Sequence, residues 1–196
     1  MNHGRPVGDD DVHNEKETIM ADETFVAVAA QYDSEDRAVA DFDNLSAHYK
    51  DDDNHGHGPL DAAVITRDLD GKLAIVRRDD GGKSHGTRKG LGIGLASGLA
   101  VALFPAVAIG GALLVAGGSG AGIGAIAEHI KRKTPTKDLD AIGATLDAGS
   151  AGIVFVVTPA EADEVEKLLT NSTKVTRRDL AVDDEELDKQ VDGSYE

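Results

Sequence analysis

Residue types able to do chemistry gather in four places along the chain. The segment LLVAGGSGAGIGAIAEHI sets Gly120, Gly122 and Ala125 at G-x-G-x-x-A spacing behind an apolar run, the spacing in which glycines let a pyrophosphate approach a helix N-terminus. The strand that motif requires is short here, further parallel β-α-β units are missing, and glycines continue on both sides. Helix packing is therefore the better account, with nucleotide binding as the alternative. Asp51, Asp52, Asp53, His55 and His57 share one loop with His48 close by, oxygen and nitrogen donors of the kind that hold zinc, nickel or copper. A polar, glycine-containing loop enforces no coordination geometry, so no metal is expected there. His85 and His129 flank the apolar midsection, where titration near neutral pH would change its local charge. Arg77-Arg78 and Arg177-Arg178 end two strands and would form an anion site if those strands were neighbours. Asp79 and Asp179 beside them favour surface ion pairs, worth under about 1 kcal/mol each.

No Walker loop, G-x-S-x-G elbow or H-E-x-x-H helix occurs, and scattered carboxylates in an acidic chain are no argument for acid-base catalysis. The reading is therefore of a non-enzymatic protein with no catalytic residue and no cofactor. Cysteine is absent, which excludes disulfides, thiolate metal sites and thiol nucleophiles. The formal net charge is −16, and Trp is absent with few Tyr or Phe. Such a surface repels phosphate backbones and offers little to stack on bases, so nucleic acid is not an expected partner. Met1 to Glu23 is polar and acidic where a secretory signal needs a basic start and an apolar run, so a cytoplasmic face is expected. Met20, just ahead of the first apolar segment, is an alternative start.

What must position these groups is organised around Gly90 to Ala127, a stretch with no charged residue. It reads as a Gly/Ala-rich helical hairpin in which small residues let two backbones approach closely enough for dispersion to hold them. Gly90, Gly94 and Gly98 of one arm would face Gly118, Gly120, Gly122 and Gly124 of the other. With the turn at Gly110-Gly111, the arms run from about Arg88 to Ile109 and from Ala112 to about Lys133, each near the roughly 20 residues needed to cross a bilayer. Arg88, Lys89, Lys131, Arg132 and Lys133 then form a basic base on one side, which favours the cytoplasmic face. The first arm's aliphatic and aromatic residues give about −3 to −5 kcal/mol for insertion, the second arm's only about −1.5 to −3. The second arm would enter lipid only by packing on other helices. Left exposed on a monomer, the hairpin would be an apolar patch far larger than soluble proteins show. It is therefore expected to be covered by lipid or, alternatively, by sister copies in a soluble homo-oligomer.

Around this run, Thr24 to Tyr32 reads as a first strand, buried on both faces, and Ser34 to Lys50 as an amphipathic helix. Leu60 to Leu69 and Lys72 to Asp79 form a hairpin on Asp70-Gly71. After the midsection come a helix near Thr134 to Ala148, a central strand Gly152 to Thr158, a helix Pro159 to Asn171 and a strand Thr173 to Val182. The fold class is α+β, a ferredoxin-like βαββαβ core covered by helices on one face, with the hairpin inserted and an extra C-terminal helix-strand. The organisation is a disordered acidic tail at 1–23, domain halves at 24–86 and 134–182, the hairpin at 87–133 and a second acidic tail at 183–196. A weak internal repeat relates FVAVAAQYDSEDRAVADFDNL with AVITRDL to IVFVVTPAEADEVEKLL with KVTRRDLAV.

A strand-helix-strand-strand scaffold, interrupted by a Gly/Ala hairpin between KSHGTRKGLGIG and AEHIKRK and followed by GIVFVVT, resembles a bacterial family of unknown function. It is the domain-of-unknown-function family numbered twelve sixty-nine, commonly labelled predicted membrane or stress-associated proteins. The resemblance covers roughly Thr24 to Leu180. It implies a stress-related role and brings no activity or site residue. The expected function is a membrane-associated or self-assembling protein, its partners a bilayer and itself, located at the membrane with the α+β domain cytoplasmic, or else soluble in the cytoplasm.

Overall fold

The computed structural model describes residues 24–51, 60–80, 94–105, 107–109, 112–113, 121–147, 150–183 and 186–187. The first strand, β1 (Phe25–Tyr32), carries apolar side chains at both parities and is buried on both faces, as a strand covered by two layers must be. Acidic Glu35 and Asp36 open α1 (Glu35–Asp51), where negative charge suits the helix dipole. The hairpin of β2 (Asp61–Arg67) and β3 (Leu73–Asp80) turns at Gly71, whose φ of 79° only glycine adopts easily. The Asp68 carboxylate accepts the amides of Asp70 and Lys72 at 2.9 and 2.8 Å across that turn.

The midsection departs from the expected helical hairpin. Its helices are α2 (Leu95–Leu103) and α3 (Ala121–Lys133), nine and thirteen residues long. Between them lie β4 (Ala108–Ile109) and β5 (Ala112–Leu113), paired antiparallel with each other. The first arm of about twenty residues is cut short at Leu103 because Pro105 follows Phe104, and the second opens as β5 and is helical from Ala121. A residue before proline is pushed out of the helical region, and Phe104 sits at φ −130°, ψ 81° as the C-cap of α2. Among the described residues no helix is long and apolar enough to cross a membrane. The chain continues through α4 (Thr136–Asp147), β6 (Ala151–Val157), α5 (Pro159–Leu168) and β7 (Lys174–Leu180).

The strands form one sheet in the order β5-β4-β3-β2-β6-β1-β7. Its five long strands are antiparallel throughout, and only β4 joins β3 in parallel. The fold class is α+β. The most apolar strand, β6, lies between β2 and β1 in the middle of the five. The helix-linked pairs β1-β2 and β6-β7 interlock, since β6 lies between the first pair and β1 between the second. The two halves of the internal repeat are these two interlocked units.

Helices cover both faces of the sheet, not one. Val26, Val28, Val64, Ile153 and Phe155 meet Phe42 and Leu45 of α1 and Val165 of α5. On the opposite face Ala27, Ala29, Ile65, Val154 and Val156 meet Leu95 and Leu99 of α2, Ile126 and Ile130 of α3, and Ile142 and Leu146 of α4. Strands apolar at both parities need two covers, which is the physical reason for the second helical layer. Leu187, within the segment read as an acidic tail, is fully buried in this second layer.

One buried carboxylate ties the α1 side together. Asp41 is inaccessible to solvent and accepts the Tyr32 hydroxyl at 3.0 Å, the Asn171 amide N–H at 3.0 Å and the Asn171 side-chain N–H at 2.6 Å. Burial, and after it the Asp41 charge, push the Tyr32 hydroxyl well above the ordinary tyrosine range, so it stays a donor. Asp41→Ala would orphan these buried donors. Urea unfolding should show a loss of about 2–4 kcal/mol, and a loss below about 1 kcal/mol would show that the network contributes little.

Candidate functional site

The candidate site is the place where α2 is held on the sheet and covered by α3. Seven of the nine residues of α2 are buried, from Leu95 to Ala100 together with Ala102, so the helix needs every exposed backbone group satisfied at its N-terminus. The satisfying group comes from another element. Asp61, at the start of β2 and fully buried, accepts the Leu95 N–H at 2.7 Å through Oδ2 and the Ala96 N–H at 2.9 Å through Oδ1. A carboxylate in line with a helix N-terminus is favoured both by the hydrogen bonds and by the dipole. Asp61 stands in the sequence as an acid directly ahead of the apolar run Ala62 to Ile65. That signal was open to a sequence reading, but its partner lies more than thirty residues away.

The glycines divide by position. Gly94 is the N-cap of α2, at φ 85° and ψ 38°, where a side chain would be strained. Gly98 faces α3, and a Cβ there would lie 2.2 Å from Ile126 Cγ2 and 2.9 Å from Ile126 Cβ. The close approach of the two helices is thus glycine against isoleucine, not the expected glycine against glycine. Gly122 and Gly124 are half-buried on α3, and a Cβ on Gly124 would meet nothing within 4 Å among the described residues. Gly90, Gly118 and Gly120 lie outside the described residues.

The basic residues placed at the base of the hairpin are engaged within the chain. Lys131 pairs with Glu128 at 3.7 Å, Arg132 with Glu186 at 2.6 Å, and Lys133 with Asp183 at 3.3 Å and Glu186 at 2.9 Å. These are ion pairs of the last turn of α3 with its own acid and with the C-terminal segment. Arg88 and Lys89 lie outside the described residues. His129 is buried beneath this cluster, its Nε2 accepting the Asp183 N–H at 3.0 Å. Burial holds the ring below its ordinary pKa, Arg132 and Lys133 adding to the effect against Glu186 and Asp183.

The remaining candidates are dispersed. Gly122 and Ala125 sit inside α3, and β5 before them pairs antiparallel, so the described residues place no parallel β-α-β unit at the G-x-G-x-x-A segment. His48 bridges α1 to α5 through Glu164, Nε2 to Oε1 at 2.8 Å. His55, His57, Asp52, Asp53 and His85 lie outside the described residues. Arg77 and Arg78 on β3 are separated from Arg177 and Arg178 on β7 by three strands, so the two pairs do not meet. Arg177 contacts Asp163 at 2.6 Å, and Arg178 contacts Asp138 at 3.5 Å. Comparison of the chain with protein-family models, with curated proteins and with solved structures finds no match.

The geometry separates two glycines that look alike in sequence. Gly98→Ala should cost about 1–3 kcal/mol by overpacking against Ile126, while Gly124→Ala should be neutral or gain up to about 1 kcal/mol from helix propensity. Thermal or urea unfolding of the two variants decides; equal effects would remove the special role given to Gly98. In the same assay Asp61→Ala should lose about 1–3 kcal/mol, because it leaves two buried amides unpaired.

Proposed function

We propose that the protein is a non-enzymatic, self-associating domain in which the glycine face of α3 is the contact between copies. The observation that carries this reading is the difference between Gly98 and Gly124. The first is already filled from within the protomer, while the second lies half-buried with nothing within 4 Å of its would-be Cβ among the described residues. A helix face of small residues lets a second helix approach closely, which supports an assembly of like chains. Half-buried Val101, Leu103 and Phe104 at the end of α2 supply apolar surface on the same side of the sheet.

The scaffold belongs to the same proposal. The order β7-β1-β6-β2 with two interlocked helix-linked pairs supports a ferredoxin-like core. In that arrangement α5 and β7 are core elements, while β3 and the layer of α2, α3 and α4 are additions. The resemblance to the bacterial family of unknown function, and a stress-related role with it, is carried forward on this scaffold and on the Gly/Ala midsection. A second reading, contact with a bilayer by a protein at the cytoplasmic face, is favoured by the uncharged run from Gly90 to Ala127. Burial of α2 within the protomer leaves less of that run for lipid than the sequence alone implies.

Light scattering on the detergent-free protein should give a mass of two or more chains, and Gly124→Leu should reduce it to one chain that keeps the wild-type far-UV circular dichroism and melts at a lower temperature that no longer depends on concentration. A wild-type mass of a single chain would reject self-association. An assembly unchanged by Gly124→Leu would reject the α3 contact. Flotation with anionic vesicles tests the second reading, and protein left wholly at the bottom of the gradient would dismiss it.

A further inference from the structure

We propose that residues 181–183, with Glu186 and Leu187, form a latch over the basic end of α3 that opens when the His129 ring takes up a second proton. The latch leaves β7 with Val182 buried and brings Leu187 into the core beneath it. Asp183 organises it: its carboxylate accepts the Glu186 N–H at 3.0 Å, and its carbonyl accepts the Leu187 N–H at 2.9 Å. The Asp183 N–H in turn donates to His129 Nε2 at 3.0 Å. An amide N–H has no acceptor capacity, so closure requires Nε2 to be bare and the single ring proton to sit on Nδ1.

A second proton can only go to Nε2, the atom that accepts the latch. It would set donor against donor at a fully buried ring, and the Asp183 amide would lose its partner. Among the described residues, the charged groups facing the ring are Arg132 and Lys133 from α3 and Asp183 and Glu186 from the latch. Arg132 Nη2 lies 3.4 Å from Nδ1, and its fixed positive charge disfavours a second positive charge on the ring. Hydrogen bonds hold both latch carboxylates below their ordinary range, Asp183 chiefly through the Glu186 N–H and Glu186 chiefly through Lys133. Between neutrality and about pH 5 those acids stay ionised, and the imidazole is the group of this set that changes charge.

A histidine whose pKa is lower in the closed than in the open state binds more protons when open, so closure is at full strength above about pH 6.5. It weakens by up to tenfold per pH unit below that, until the closed-state pKa is reached. Opening would release Arg132 and Lys133 from their acidic partners and vacate the seat of Leu187. Residues 181–183 with Glu186 and Leu187 thus act as a pH-sensitive cover for a basic, partly apolar surface.

The test is an NMR titration of the full chain from pH 7.5 to 5. The His129 ring should titrate below pH 6.5, and the Asp183 amide and Leu187 methyl signals should move with the same midpoint while the Val154 methyls of β6 stay fixed. In His129→Gln, whose side-chain carbonyl accepts an N–H at every pH in this range, the Leu187 methyls should not move. Leu187 methyls that stay fixed down to pH 5 in the wild type would overturn the proposal. So would Val154 signals moving with them, which would mark general unfolding, or an identical Leu187 shift in the Gln variant. Should that variant fail to fold, the wild-type comparison of the ring, Leu187 and Val154 still decides.

Discussion

Two hydrogen bonds from the Asp61 carboxylate to the first amides of α2 are the constraint on which the arrangement of the second layer depends. An uncharged helix of nine residues has no charged face to tell it which way to lie. Its orientation must come from its ends, where the unsatisfied amides are. Asp61 takes up that end at the start of β2, and the helix then lies along the sheet with Leu95 and Leu99 inward. Close packing of α3 on the outer side needs Gly98, because a methyl group there would collide with Ile126. The polar anchor and the missing side chain are complementary: one sets direction, the other sets distance.

The opposite layer is held by a different device with similar logic. Asp41 of α1 gathers donors from β1 and from the turn between α5 and β7, so a single buried carboxylate joins the first strand and helix of one interlocked unit to the turn before the last strand of the other. Its donors are neutral groups, which satisfy the carboxylate by hydrogen bonding without a buried cation. Hydrogen bonds to a charged acceptor are among the stronger ones a protein makes. Both anchors are acids in largely apolar surroundings, and each joins segments far apart in the chain.

The same physical bookkeeping changes the meaning of the apolar midsection. Read as an exposed hairpin, it demands lipid or sister chains to cover it. In the fold, α2 is covered by the sheet on one side and α3 on the other, and the demand is largely met within one protomer. The basic residues at the end of α3 are likewise partnered by Asp183 and Glu186. Among the described residues, nothing lies within 4 Å of where a Cβ on Gly124 of α3 would be.

Local chemistry in the chain determined most of the secondary structure: alternate and continuous apolarity marked β1, β2, β3, β6 and β7, helical spacing marked α1, α4 and α5, and Asp70-Gly71 marked the turn. These patterns act over a few residues, and the side chains that produce them are neighbours in sequence. Apolarity at both parities of β1 and β6 also contained the requirement for two covering layers, although not which helices would supply them. Tertiary structure alone decided that α5 and β7 interlock with β1 and β2, that Asp61 caps α2, that Gly98 meets isoleucine, and that Leu187 returns to the core. Each of those depends on groups brought together from distant parts of the chain. A carboxylate, a glycine or a leucine has no composition or spacing that names its partner; only the closed geometry of the sheet and its two layers does.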